Sequence, residues 1–203
     1  AEVLVVPADD IVVSGGIARA PDGRTVALSA FAGRLLAEGT FSNSKQTYTY
    51  GTAAAHVAVD ARTGQVNVLE YLVVDDVGRI VNPITLHGQV IGAAVQGLGG
   101  VFSEQLPYDA SGQLLVGSLA DYMVPLSTDF PNIKAISMES YPSPNNPLGA
   151  KGAGEGGVIP VAGVLTNAIA SALSSMNVQP RDLPVTPPRL WDLIRRARSD
   201  AAT

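Results

Sequence analysis

Residues 65–83 read QVNVLEYLVVDDVGRIVNP and join a predicted strand to a predicted helix. Between Gln65 and Val74, apolar residues first alternate with polar ones and then follow one another directly. Both patterns are typical of a buried or half-buried strand. A second such run covers Ala53–Asp60, and the four residues between the two runs end in Gly64. This spacing predicts an antiparallel hairpin that leads directly into the helix.

The helix is expected to begin where Asn82 precedes Pro83, because asparagine is a favoured N-cap and proline is favoured at the first helical position. Apolar residues at near-helical spacing extend it to about Leu98. Three interior glycines each cost about 1 kcal/mol of helix propensity; they are Gly88, Gly92 and Gly97. We therefore expect a neighbouring element or a ligand to approach this helix closely.

A smaller unit precedes the hairpin. The β-branched runs of Ile11–Ala18, on both sides of Ser14-Gly15, predict a short hairpin, and Pro21-Asp22-Gly23 predicts a turn. Ser29 is a candidate N-cap for a helix that ends at Gly39. We expect the side chains of Phe31, Leu35 and Leu36 on that helix to face the protein interior. We interpret residues 1–47 as a small α+β lead-in to a main domain at residues 48–203.

Three further strands and two further helices are expected beyond the long helix. The strands are predicted at Val101–Gln105, Leu114–Val116 and Ile133–Tyr141, with a turn at Asp109–Gly112. The helices are predicted from Pro160 to Leu173 and from Pro188 to Ala197, the latter with its buried face formed by Leu190, Trp191 and Ile194. The fold class is therefore α+β, with mixed sheets and packed helices.

Composition excludes several classes of site. The 203 residues contain no Cys, so disulfides, thiolate zinc sites and iron–sulfur clusters are excluded within this chain. The formal charge of −5, without a basic stripe, argues against nucleic acid as a partner. The apolar runs fall well short of the roughly 20 residues that span a bilayer, so we expect no membrane span.

The most unusual stretch is PLGAKGAGEGG, residues 147–157, in which glycines surround Glu155. Glycine backbone can approach an anionic ligand closely, and a helix that follows adds the positive end of its dipole. One alternative is a flexible surface loop in which Glu155 is solvated. Another is an anion site for a nucleotide phosphate, although the Gly-Lys-Ser/Thr sequence of a P-loop is missing.

The long helix also carries two amides, Gln89 and Gln96, which lie seven residues apart on one face. They could hydrogen-bond the edge of a ligand ring or a metal oxo group, or they could be surface amides. His56 and His87 lack companions at metal-ligand spacing. Asp75-Asp76 is interpreted as a solvated pair or a helix cap, with a hard-cation site as the alternative.

Four ordered motifs resemble one known family. They are Asp75–Pro83, then Gly88-Gln89-Val90 with Val95-Gln96-Gly97, then Pro147–Glu155, and last Arg189-Leu190-Trp191. From about Tyr48 onward the sequence resembles the large, molybdenum-binding subunits of xanthine dehydrogenase, aldehyde oxidase and aerobic carbon monoxide dehydrogenase. The resemblance implies the C-terminal part of a molybdenum cofactor-binding domain of the xanthine oxidase type.

The resemblance also implies roles for individual residues. Glu155 is expected to be the general base beside molybdenum when an aldehyde, N-heterocycle, purine or carbon monoxide is oxidised with water-derived oxygen. Gln96 is expected near the metal end of the cofactor, and no side chain is expected to ligate the metal. The other cofactor-binding residues are expected to be Gln89, Lys151, Gly152, Ala153 and Gly154. Lys151 is also expected to favour an ionised Glu155.

Cofactors and partners follow from the same resemblance. The chain would hold molybdenum–molybdopterin, as such or as the cytosine dinucleotide, together with the N-terminal half of the large subunit. Iron–sulfur clusters and FAD would lie on partner subunits of a cytoplasmic hetero-oligomer that acts on a small-molecule substrate. Because the family's large subunits are several times longer, we expect this chain alone neither to hold the cofactor nor to turn over.

Some features leave a second interpretation open. His87 stands where many members of the family carry an acidic residue, and Ala93 replaces a frequent glycine. The alternative function is a non-catalytic structural or assembly module of the same family.

Overall fold

The computed structural model describes residues 3–31, 33, 36, 38–42 and 44–200. The chain divides into two compact units, Ala1–Ser42 and Asn43–Thr203. None of the helices within the described ranges is long and apolar enough to cross a membrane.

The first unit contains an antiparallel sheet of three short strands, β1 (Val12–Ser14), β2 (Ile17–Arg19) and β3 (Thr25–Ala27). Gly15 and Gly16 connect β1 to β2 with φ values of 59° and 75°, which glycine adopts without steric cost. The small core of this first unit includes the buried residues Leu4, Ala18 and Ala20. The predicted hairpin and the turn at Pro21-Asp22-Gly23 are confirmed.

The helix predicted after Ser29 is wrong in the described residues. A single 3₁₀ turn spans Leu28–Phe31, and the described residues between it and Gly39 are not helical. Gly33 has a φ of 77°, which an α-helix cannot accommodate. Leu36 is 95% exposed rather than turned inward, and Leu35 lies outside the described residues.

The second unit is built on a hairpin of two long strands, β4 (Tyr50–Asp60) and β5 (Gln65–Asp76). They pair antiparallel from Tyr50 opposite Asp76 to Asp60 opposite Gln65, with one irregularity at His56/Val57. This confirms the predicted hairpin and extends both strands. A third strand, β6 (Ile133–Met138), pairs parallel to β5. It ends three residues before the predicted end of that strand.

The long helix α1 (Pro83–Phe102) lies between β5 and β6 in the sequence and provides the crossover that a parallel pair requires. Its predicted start is confirmed, because the Asn82 side chain accepts hydrogen bonds from the backbone N–H groups of Ile84 and Thr85. The helix continues four residues past the predicted end. Val101 and Phe102 belong to it because they follow Leu98 at helical spacing and share its core.

Two further helices complete the second unit, α2 (Val161–Ala172) and α3 (Pro187–Asp200). Both confirm the predicted segments, with Pro160 as the N-cap of α2 rather than its first residue. Leu190 and Ile194 are buried, whereas Trp191 is 44% exposed and does not belong to the buried face. The core between sheet and helices includes Tyr71, Val90, Leu98, Leu165, Ile169, Leu190 and Ile194.

Two predicted strands are wrong. Val101–Gln105 is the end of α1 and the residues after it. Leu114–Val116 forms only one isolated bridge, from Leu114 to Tyr108 across the confirmed turn at Asp109–Gly112. Leu115 is exposed, so this apolar run gains too little burial to form a strand.

Candidate active site

The candidate site begins at the end of β5, where Asp76 pairs with Lys151 from the glycine-rich segment. Nζ of Lys151 lies 2.8 Å from Oδ1 of Asp76, and the two side chains are 6% and 5% exposed. The ammonium also lies 4.2 Å from the centre of the Tyr50 ring. The expected solvated carboxylate pair at 75–76 is therefore wrong: both aspartates are buried.

Backbone hydrogen bonds attach the glycine-rich segment to the residues that follow β5. The Lys151 N–H donates to the Val77 carbonyl at 3.0 Å, and the Arg79 N–H donates to the Gly149 carbonyl at 3.0 Å. Gly78 and Ala150 form an antiparallel bridge between these two bonds. A short two-stranded ladder thus fixes the start of the glycine-rich segment.

The turn into this ladder depends on Gly149 and Asn146. Gly149 has a φ of 77°, and a Cβ there would lie 2.8 Å from Cβ of Pro142. The Asn146 side chain donates to the Ala150 carbonyl at 2.8 Å and accepts from the Ala150 N–H at 3.1 Å. The start of the segment therefore has a defined backbone.

The first turns of α1 face this segment across a groove. Nε2 of Gln89 donates to the Gly154 carbonyl at 2.9 Å and so connects helix and segment. The groove has a volume of about 500 Å³. Its lining includes Arg79, Asn82, Gln89, Lys151, Ala153 and Gly154. We call it the α1 groove.

The glycines of the site fall into two groups. Gly152 and Gly154 have open space around them: a Cβ on either would meet no heavy atom of the described residues within 4 Å. In contrast, a Cβ on Gly157 would lie 2.6 Å from the Val90 carbonyl oxygen of α1. The segment thus has space for a side chain at 152 and 154, although Thr49 and Gln89 donate hydrogen bonds to the two carbonyls there, and it packs tightly against α1 at 157.

The glycines of α1 show the same division. A Cβ on Gly97 would lie 2.6 Å from a methyl group of Val161, so this glycine permits close packing of α1 on α2. At Gly88 and Gly92 a Cβ would meet none of the described residues within 4 Å. Of the three glycines for which the sequence predicted a close neighbour, Gly97 therefore has one in α2. Gly88 and Gly92 have none among the described residues.

Glu155 is exposed and directly follows Gly154. Its carbonyl accepts hydrogen bonds from the N–H groups of Val158 and Ile159, which begin the turn into α2. The Lys151 ammonium lies against Asp76 and Tyr50, and its expected effect on the ionisation of Glu155 stays a prediction. Within the described part of the chain no ion pair joins Lys151 to Glu155.

The other candidates from the sequence lie apart. Gln96 is exposed on α1, two turns beyond Gln89, and makes no recorded hydrogen bond to the described residues of the glycine-rich segment. His56 and His87 are both exposed. Across the described ranges no three His, Cys, Asp or Glu side chains are grouped so that they could hold a metal ion.

Sequence reasoning missed three residues that build the site. Asp76 forms the buried ion pair with Lys151. The Asn146 side chain hydrogen-bonds both the carbonyl and the N–H of Ala150. Arg79 lines the groove, and its guanidinium lies 3.8 Å from Glu139. For Asp76 a signal existed: the apolar run continues to Val77, so the strand and its burial could be extended past the aspartates. For Asn146, a side chain that closes a turn before glycine is a known local pattern.

Burial and hydrogen bonding give the two aspartates opposite electrostatic properties. The hydrogen bond from Lys151, supported by those from the N–H groups of Gly78 and Tyr141, lowers the pKa of Asp76. Burial raises the pKa of Asp75, which has no such partner. Burial, together with the nearby charge of Asp75, raises the pKa of Tyr71 to about 12.

Comparison with known proteins identifies the family. The sequence profile of the molybdopterin cofactor-binding domain matches residues 1–131. The chain belongs to this family. The matched span of this molybdopterin cofactor-binding domain includes the first unit, which the motif resemblance did not cover, and ends before the glycine-rich segment.

Relatives of the domain are subunits of larger enzymes. The subunit gamma of the 6-hydroxypseudooxynicotine dehydrogenase complex from Paenarthrobacter nicotinovorans is 37% identical over 157 residues, which are 77% of this chain and 20% of that protein. The aldehyde oxidoreductase molybdenum-binding subunit from Escherichia coli (strain K12) is 36% identical over 166 residues, which are 79% of this chain and 22% of that protein. The domain spans about a fifth of these curated relatives, and the resemblance inferred from the motifs is confirmed.

Solved structures share the fold. Quinoline 2-oxidoreductase from Pseudomonas putida 86 superimposes with a TM-score of 0.81 and 30% identity, over 95% of this chain and 27% of that chain. The CO dehydrogenase from Oligotropha carboxidovorans superimposes with a TM-score of 0.82 and 22% identity. The match covers 98% of this chain and 26% of that chain. The predicted fold class, α+β of the molybdenum cofactor-binding type, is confirmed.

Proposed function

We propose that the α1 groove is part of the molybdopterin site of a molybdenum hydroxylase and that Glu155 is its general base. One observation carries the proposal. The hydrogen bond from Gln89 to the Gly154 carbonyl joins two candidate segments that are 65 residues apart in the chain. It places them around one groove immediately before Glu155.

The residues of the groove fit such a cofactor in chemistry and in space. A pterin has a polar edge that amides and backbone groups recognise. In the groove, Gln89 offers its amide oxygen and Gly154 its backbone N–H, because the Gln89 Nε2 and the Gly154 carbonyl already bond to each other. The Arg79 guanidinium suits a phosphate group of the same cofactor. Open space at Gly152, Gly154, Gly88 and Gly92 supports a ligand that packs on bare backbone.

Gln96 and Ala153 complete the proposed cofactor-binding set. Ala153 lines the groove between Gly152 and Gly154. Gln96 is an exposed amide on the same helix as Gln89 and would contact the cofactor nearer the metal. Lys151 contributes indirectly, because its ammonium is engaged by Asp76 and its role is to fix the backbone of the segment.

The chemistry divides between the cofactor and this chain. When bound, the molybdenum centre supplies a Lewis acid and an acceptor for the electrons of the substrate. Glu155 supplies an exposed carboxylate that takes and holds the proton released from water, which is the role of a general base. Its backbone carbonyl accepts hydrogen bonds from the turn into α2, which fixes the backbone next to Gly154 of the groove lining.

The whole protein is proposed to be a cytoplasmic hetero-oligomer. The relatives named above are subunits, and the aligned part of this chain covers only 20% and 22% of their lengths. We propose that residues 1–47 join the N-terminal half of a large subunit and that residues 48–203 form the C-terminal cofactor domain. Iron–sulfur and flavin subunits would carry electrons away, and the cofactor would be molybdopterin or its cytosine dinucleotide. The substrate class comprises aldehydes, N-heterocycles, purines and carbon monoxide.

Replacement of Glu155 tests the proposal in the complete enzyme. Glu155→Gln keeps the size of the side chain but removes the base, so turnover should fall by at least about 10²-fold. Molybdenum content, measured by mass spectrometry, should remain within about twofold of wild type. Glu38→Gln removes an exposed carboxylate that is not among the proposed site residues and serves as the control.

The possible outcomes separate the candidate functions. Normal turnover of the Glu155→Gln enzyme would refute the base. A complex that contains no stoichiometric molybdenum would refute the proposed function and favour a non-catalytic assembly module.

A further inference from the structure

The sheet of β4, β5 and β6 has one face that is covered by the helices of the second unit. Tyr71 and Val73 of β5 lie on this inner face and share the hydrophobic core with buried residues of α1, α2 and α3. The pairing register places Val73 between Ala53 of β4 and Ala135 of β6, and both alanines pack against the same core. Because side chains alternate along a strand, the residues between these positions face the other side of the sheet.

We call this other side the outer face. Its two central rows follow from the pairing register, and they are Thr52, Val74 and Ile136 and, next to it, Ala54, Leu72 and Lys134. Ile136 is 52% exposed, and Met138, two residues further along β6, is 41% exposed. Leu72 and Val74 are half-buried. None of these four apolar residues is among the described residues that pack on the core between sheet and helices.

The outer face is too apolar for a surface that faces water. A solvated side of a sheet carries polar residues that alternate with the apolar residues of the buried side. β5 departs from this pattern, because Leu72 and Val74 face outward on the two sides of the inward-facing Val73. β5 and β6 are also parallel, and parallel strands are usually covered on both faces. Such an apolar patch marks an interaction surface.

Charged residues limit the apolar part of the outer face at both ends. At one end Lys134 forms an exposed ion pair with Glu70. At the other end Asp76 follows Val74 on the same side of β5 and forms the buried pair with Lys151. Because Lys151 belongs to the glycine-rich segment, the outer face is continuous with the proposed cofactor site.

We propose that the outer face is the surface on which the part of the large subunit outside residues 1–203 docks, with an apolar layer of its own. The aligned part of this chain covers only 20% and 22% of the two relatives, so most of a relative lies outside the match and can supply such a layer. A layer docked there would lie beside the glycine-rich segment. A centre of aliphatic residues suits a permanent rather than a transient contact. This inference rests on the proposed function, in which the chain is part of a large subunit.

Cysteine variants of the complete enzyme test whether the outer face is covered. The 203 residues contain no Cys, so Ile136→Cys introduces a single thiol into this part of the enzyme. A maleimide should label that thiol at least about tenfold more slowly than the thiol of Leu193→Cys in the native enzyme, and equally fast after denaturation. Leu193 is the matched control, because it is an aliphatic residue, 37% exposed, among charged side chains. Equal labelling of the two native variants, measured on their peptides by mass spectrometry, would overturn the inference.

Photo-crosslinking of the same enzyme identifies the occupant. Photo-methionine has nearly the shape of methionine, and Met138 supplies a position for it on the outer face. The peptide that contains Met138 should crosslink to large-subunit sequence outside residues 1–203, and Met138→Leu should abolish this crosslink. A crosslink from Met138 to residues 1–203 of the same or a second copy, or to an iron–sulfur or flavin subunit, would overturn the inference. The absence of any crosslink at Met138 would do the same.

Neither measurement depends on molybdenum or on turnover, so the two proposals can fail separately. If Glu155→Gln retains turnover while Met138 crosslinks to the rest of the large subunit, the docking surface stands and the assignment of the base is wrong. If Glu155→Gln is inactive with full molybdenum content while Ile136→Cys is labelled as fast as the control, only the docking surface is wrong.

Discussion

Nζ of Lys151 and Oδ1 of Asp76 are 2.8 Å apart and almost completely shielded from solvent. This ion pair joins the glycine-rich segment to the end of β5. The Tyr50 ring also contacts the ammonium through a cation–π interaction. Lys151 thus fixes the backbone of the glycine-rich segment at the proposed site. Its ammonium is engaged by Asp76 and does not face the groove.

Lys151→Met should destabilise the complete protein markedly. Loss of the ammonium leaves the buried Asp76 carboxylate with only the N–H groups of Gly78 and Tyr141 as partners and without a compensating charge, which costs far more than loss of an exposed pair. We expect the thermal midpoint to fall by roughly 5 °C or more. Lys134→Met breaks the more exposed pair with Glu70 and should change the midpoint by no more than about 2 °C. Equal effects of the two substitutions would contradict the role given to Lys151.

The stability supplied by Asp76 should depend on pH. Its pKa is lower in the folded state than in the unfolded state, so its stabilising contribution is present above the unfolded pKa. That contribution is lost as the pH falls below about 4 toward the folded pKa. Denaturant titrations should therefore show Asp76→Asn less stable than wild type at pH 6, with a smaller difference near pH 3. A difference that grows toward low pH would be inconsistent with this sign.

Two glycines of the same segment should respond differently to alanine. Gly152→Ala adds a methyl group into open space, so the fold should tolerate it, whereas cofactor content should fall because the methyl group lies on the proposed contact surface. Gly149→Ala should lower thermal stability, since its φ of 77° and the nearby Pro142 oppose a side chain. Full molybdenum content in a folded Gly152→Ala enzyme would argue against cofactor contact at this position.

The two amides of α1 provide a further comparison. Gln89→Ala removes the hydrogen bond to Gly154, so it should raise amide exchange in residues 152–155 and also lower molybdenum content. Gln96→Ala breaks no recorded hydrogen bond within the described residues, so it should lower molybdenum content alone. If Gln96→Ala changes neither measurement, Gln96 should be removed from the proposed site.

Local signals in the sequence predicted the elements that carry the site. The hairpin of β4 and β5 followed from apolar runs on either side of Gly64, and α1 followed from Asn82 and Pro83. Both signals act within a few residues of the chain. They therefore need no knowledge of what packs against the element.

Features that depend on distant residues were predicted less well. The buried Asp76 pairs with Lys151, which is 75 residues away, and nothing in the local sequence around Asp76 indicates this partner. The apolar run at Leu114–Val116 looked like a strand, but no neighbouring strand pairs with it in the described structure. Trp191 follows the apolar period of α3, yet the fully buried residues of this helix are Leu190 and Ile194, and Trp191 is 44% exposed.

A structure of the complete enzyme with its cofactor would show directly whether the α1 groove holds the pterin. We expect pterin density in the α1 groove, against Gly152, Gly154 and Gln89, and the Glu155 carboxylate within proton-transfer reach of the molybdenum centre. A pterin bound elsewhere, with Glu155 directed into bulk solvent, would contradict it.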